Sequence, residues 1–167
     1  MKDNIINLIL ERIAQNYGEQ LPYYEEMYRI ALVQEKILEQ AEIDADLLLS
    51  LINQRQELIT VLEEKNRAIA PIKEEVCQVL EINEFNLTNL QKRVKGPGGE
   101  ALTKVLGQLA FVLGRIKEVD NKSEKLLREG LAKVKDKLGQ VQNTKKATKA
   151  YQPAAALSDG VFIDCNK

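Results

Sequence analysis

The residue types that most often do chemistry are few in this chain and poorly placed for it. There is no histidine, and the thiols number two, Cys77 and Cys165. Without His no unperturbed side chain changes charge near neutral pH, and no hydroxyl or thiol has a base at a spacing that would activate it. Glu35 would suit a carboxylate-bridged metal pair only beside a Glu-x-x-His partner, which the chain lacks. The run Gly96-Pro97-Gly98-Gly99 follows no strand and lacks the spacing of a phosphate cradle. The two cysteines fit neither a metal site nor a disulfide framework, and Cys165 stands one place off the position for prenylation. Cys77 lies beside an apolar stripe and reads as a small buried filler. No catalytic residue, cofactor or metal is expected. The residues argue for a non-enzymatic interaction protein.

A second set of polar residues is informative because of its company. The series Leu48, Leu51, Arg55, Leu58, Leu62, Lys65, Ile69, Ile72, Val76 and Val79 alternates steps of three and four, and eight of its ten members are apolar. Such a heptad repeat is one side of a long helix, roughly 48 Å at 1.5 Å per residue, that must be covered by other helices. Arg55 and Lys65 interrupt it, as Asp120 and Ser123 interrupt a later stripe. If the two helices run antiparallel, Asp120 falls between the levels of Arg55 and Lys65. The reading is a register-setting pair rather than a charged site.

The remaining elements supply the neighbours. Residues 3–41 carry the stripes Ile5, Ile6, Ile9, Ile13 and Tyr24, Met27, Tyr28, Ala31, Leu38, with a kink or brief break expected between Gly18 and Pro22. Asp44 is a good N-cap for a helix from Ala45, and the short connection makes the first two helices antiparallel, with Tyr28 near Leu58 and Leu38 near Leu48. Pro71 bends the second helix without ending it. Glu81 to Arg93 reads as a short helix weakened by its asparagines, and Lys95–Gly99 as a turn. A third long helix spans Glu100 to Val141, with the stripe Leu102, Leu106, Leu109, Leu113, Ile116, Asp120, Ser123, Leu127, Gly130, Val134, Lys137 and Val141. Val105, Val112, Val119 and Leu126 form a second line beside it, wider than a two-helix seam requires.

The fold expected is therefore all-α: an elongated antiparallel bundle of three long helices and one short one, residues 1–141, followed by a flexible tail, 142–167. Composition agrees, with aromatics at 5%, no Trp, and charged residues of both signs at 29% summing to −1. That balance excludes a general nucleic-acid binder. No apolar run approaches the roughly 18 residues of a membrane span. Asp3, Glu11 and Arg12 among the early isoleucines, with no small-residue cleavage site, do not read as a signal peptide. A soluble, reducing, cytoplasmic setting is expected. The surplus stripe of Val105, Val112 and Val119, with Ile52 and Ile59 beside the second helix's seam, is the candidate groove for a visiting helix.

Gln34-Glu35-Lys36-Ile37-Leu38, then Ile43-Asp44-x-x-Leu47, then Leu51, Arg55, Leu58, Leu62 and Asn66 resemble the FlgN-like family of bacterial flagellar export chaperones. The likeness continues in a long final helix containing Leu126-Leu127 and a tail bearing a Tyr, here Tyr151, and closing on Gly160-Val161-Phe162-Ile163-Asp164. Where the family tends to carry two Asn three apart before the Leu-Leu, this chain has Asp120 and Ser123. The resemblance implies a cytoplasmic chaperone without ATP use. It would bind C-terminal helices of hook-associated proteins, prevent early assembly and deliver them to the export gate, with Tyr151 and Phe162 in the tail as docking residues. A structural coiled-coil adaptor, whose stripes would make a homodimer, and a helix-sequestering regulator are the competing readings.

Overall fold

In the computed structural model, which describes residues 2–151, the chain is all-α. The helices are α1 (Lys2–Leu38), α2 (Ala45–Leu80), α3 (Leu87–Arg93) and α4 (Pro97–Tyr151). Contacts divide the chain into two units, Met1–Leu126 and Leu127–Lys167, so the boundary falls within α4. The first unit is the bundle.

Local chemistry explains the helix ends. Asp44 accepts from the backbone N–H of Leu47 at 3.0 Å and so caps α2. Glu81 ends α2 in the left-handed region at φ 54°, its N–H closing on the last turn. The short helix is shorter than the sequence suggests: it begins at Leu87, because Asn86 leaves helical geometry and caps it instead, accepting from Asn89 N–H at 2.9 Å. Of the kink or brief break expected at Gly18–Pro22, the break does not occur, since α1 is helical throughout. Pro22 removes one donor and crowds the carbonyl four residues back. That residue is Gly18, with no side chain and nothing within 4 Å of where one would sit. Packed Tyr17 and Gln20 before the proline, and Met27 after it, hold the helix on both sides.

The start of α4 also differs. Of the expected turn only Lys95 and Gly96 lie outside a helix; Pro97 takes the first helical position, where a missing N–H costs nothing. Gly96 lies at φ 134°, open in practice only to glycine. Gly98 N–H donates to Asn7 Oδ1 at 3.0 Å, tying the start of α4 to α1. A Cβ on Gly98 would fall onto the Asn7 backbone carbonyl.

Residues that meet across α1 and α2 run in opposite order, Gln20 with Asn66 and Gln34 with Arg55, so the two are antiparallel. Tyr28 and Leu58 share a cluster as expected, and Ile37 packs with Leu51 and Leu48. The largest cluster draws on all four helices: Leu10, Ile13 and Tyr17 from α1, Ile69 and Val76 from α2, Leu90 from α3, and Leu102, Val105 and Leu109 from α4. The second joins Met27, Leu62 and Ile116 from the three long helices. The third, Ile30, Ile37 and Leu51, belongs to α1 and α2 alone.

The glycines of α4 give opposite expectations. Gly98→Ala should lower the unfolding free energy by about 1–3 kcal/mol, as overpacking does. Gly107→Ala and Gly114→Ala, where an added Cβ meets nothing within 4 Å, should raise it by about 0.5–1 kcal/mol. Urea denaturation followed by circular dichroism measures both.

Candidate functional site

Two polar layers cross the bundle. In the first, Gln20 is fully buried, and its amide donates to Asn16 Oδ1 at 2.8 Å and to Asn66 Oδ1 at 3.0 Å. Asn66 also shares a hydrogen bond with Tyr24; burial raises the phenol's pKa above its usual value, and that hydrogen bond opposes the shift. In the second, Arg55 clamps Asp120 with two bonds of 2.8 Å and donates to Gln34 Oε1 at 2.9 Å. The sequence placed Asp120 between Arg55 and Lys65; the structure pairs it with Arg55. Lys65 instead meets Glu19 at 3.5 Å and lies 5.9 Å above the Tyr23 ring. These geometries fix alignment. They place no nucleophile beside a base, and no group of three or more metal-ligating side chains occurs among the described residues.

The candidate groove does not form as one surface. Val105 is core, 7% exposed, and Val119 is 6% exposed. Val112 and Ile59 are half-buried against the second cluster, while Ile52 is 48% exposed. The cause lies in how α4 packs: its inward line is Leu102, Val105, Leu109, Val112, Ile116 and Val119, so the valines fill the bundle rather than lie open on it. Val112 borders a shallow cleft with Tyr28 and Phe111, over whose rings the Arg115 guanidinium sits at 4.9 and 5.4 Å. Of the tail residues, Tyr151 closes α4, ten positions beyond the expected helix end at Val141, and Phe162 lies outside the described residues.

Exposed apolar residues occur in both units, and in the second they fall into one unbroken line. Leu127, Leu131, Val134, Leu138 and Val141 are 43%, 56%, 53%, 54% and 50% exposed. Their steps are four, three, four and three, a heptad line on one side of α4. Single exposed leucines are ordinary on protein surfaces, but a contiguous line of them is the mark of an interaction face. Sequence reading missed Leu131 and Leu138 because it continued the frame of the bundle, which puts Gly130 and Lys137 in those places. Testing the adjacent frame after Leu126-Leu127 would have found them. No helix among the described residues is long and apolar enough to cross a membrane. No family model, curated protein or solved structure matches this chain.

The Arg55–Asp120 clamp has a measurable consequence. With the Arg55 side chain 18% exposed and Asp120 40% exposed, Asp120→Leu leaves a mostly buried guanidinium short of its carboxylate. It should cost about 1–3 kcal/mol after allowance for solvent screening. Arg55→Met combined with Asp120→Leu should recover most of that loss. A double-mutant cycle in urea unfolding reads the coupling, and additive single effects would show that the clamp contributes nothing.

Proposed function

We propose that this protein is a cytoplasmic, non-enzymatic chaperone of flagellar type III export. It holds the C-terminal helices of hook-associated subunits, keeps them from assembling early and hands them to the export gate. The observation that carries this reading is the exposed heptad line from Leu127 to Val141. A helix face of this kind takes another amphipathic helix side by side, and subunits that polymerise through such helices are the clients in need of cover. The bundle below Leu126 acts as scaffold, with its registers pinned by Gln20 and Arg55. The resemblance in the leucine spacing of α2 points the same way.

A structural coiled-coil adaptor is the second reading, supported by the same line of apolar residues, which would then pair with a second copy. A client that binds a monomeric protein separates the two.

Leu131→Ser with Leu138→Ser should leave the fold and its unfolding midpoint nearly unchanged, since both side chains are more than half exposed. Client affinity should fall about a hundredfold, the effect of losing ~3 kcal/mol of apolar contact. Pull-down from flagellated cells followed by mass spectrometry, then calorimetry with the recovered subunit, tests this. Unchanged affinity would place the client elsewhere.

Tyr151→Ala should leave client binding intact and reduce export. A tyrosine is a compact anchor with few rotors to immobilise, and Tyr151 is the last residue of α4. Secretion assays of hook-associated subunits decide it, and normal secretion would end the assignment.

A further inference from the structure

We infer that the Leu127–Val141 face of α4 selects a helix from another protein whose apolar stripe is edged by carboxylates. This rests on the helix-binding reading above and adds which helix the face accepts. In heptad terms Leu131 and Leu138 are a positions, and Leu127, Val134 and Val141 are d positions. The flanking e and g positions are then Arg128, Lys135 and Gln142, with Gly130 and Lys137. The acidic residues of the segment, Glu129 and Asp136, both fall at f, on the side of the helix away from the stripe. So within residues 127–142 every charged residue at e or g is a cation, and the two anions are turned from the stripe.

That arrangement discriminates among occupants. In paired helices, residues at e and g face the e and g residues of the partner and set its identity. A second copy of this chain offers no carboxylate at e or g: antiparallel it brings cations against cations, and parallel it sets Lys135 against Gly130 and Lys137 against Gln142, whereas Glu or Asp at the partner's edges would form ion pairs with them. The stripe is one a/d seam wide, about 80° of the helix surface at 100° per residue. It contains no aromatic residue. A membrane surface favours a broader apolar face carrying Trp or Phe, so the width and composition suit a single helix instead.

Two designed helical peptides sharing one Leu/Ile stripe, one with Glu at every e and g position and the other with Lys, test the inference by titration onto the full chain. The Glu-edged peptide should bind at least about tenfold more tightly at low salt. The difference should close near ~1 M salt, where the screening length is only ~3 Å. In the Lys135→Glu, Lys137→Glu variant, with its circular dichroism unchanged, the preference should reverse. Equal binding of both peptides would overturn the charge selection while leaving helix binding in place; binding of neither would overturn both. Three further results would assign the face to another occupant and overturn the inference. One is a dimer in sedimentation equilibrium that Leu131→Ser, Leu138→Ser dissociates. Another is capture of anionic phospholipid vesicles that the same substitutions abolish. The last is a photo-crosslink from position 134 to residues 152–167 of the same chain.

Discussion

A single guanidinium holds three helices at one level. Arg55 on α2 donates to Gln34 on α1 and, through two bonds, to Asp120 on α4. Its fork geometry is rigid, so all three bonds are made in one alignment only. Heptad stripes by themselves tolerate slippage by a whole repeat, because leucine meets leucine again seven residues on. Sliding α4 or α1 along α2 would strand a largely buried cation, which costs more than the pair contributes when made. The Gln20–Asn66 contact repeats this logic nearer the four-helix end, between the first and second apolar clusters. The apolar clusters supply the cohesion of the bundle, and the polar layers decide which cohesion is allowed.

Once alignment is fixed, the apolar content of α4 has a definite fate. Its first half turns Leu102, Val105, Leu109, Ile116 and Val119 inward, and all are buried. Near Leu126-Leu127 the apolar frame advances by one residue while keeping the same three-and-four rhythm. A frame change within one continuous helix means that a single face cannot serve both halves, since neighbouring residues point about 100° apart. The second frame, from Leu127 to Val141, is exposed along its whole length. A sequence that places one apolar line for itself and another in a different frame is consistent with two separate duties for α4.

How much of this could be read from the sequence follows from which interactions are local. The three long helices, the Asp44 cap and the antiparallel pairing of Tyr28 with Leu58 follow from periodicity and short-range hydrogen bonding. Gly-Pro-Gly-Gly is a turn signal in isolation, so local sequence assigns Pro97 to a turn. Only the long-range bond from Gly98 to Asn7 shows that it opens a helix instead. The continuity of α1 through Pro22 likewise depends on packing around Tyr17, Gln20 and Met27 from outside the local sequence. That Val105 and Val119 are buried and Val112 packs on the second cluster, rather than lining an open groove, has a related cause. A wide apolar face shows that much surface must be covered, but its covering by α1 and α2 is set by tertiary geometry that periodicity does not encode.

The exposed half of α4 also has an energetic argument of its own. Residues 127–141 are rich in Leu and Lys, which favour helix, but Gly130 and Gly139 each work against it. A helix of such length without tertiary cover is marginal in water, because its nucleation cost is recovered only slowly by propagation. A partner laid along Leu127 to Val141 would bury apolar surface and favour the helical form at once, so docking and helix stabilisation are one linked equilibrium. Under the export-chaperone proposal, that linkage would suit holding a client firmly and then releasing it. On that reading the affinity would depend on a face whose helical order is itself of limited stability, so a disturbance of α4 would weaken the grip without unfolding the bundle that Arg55 keeps in register.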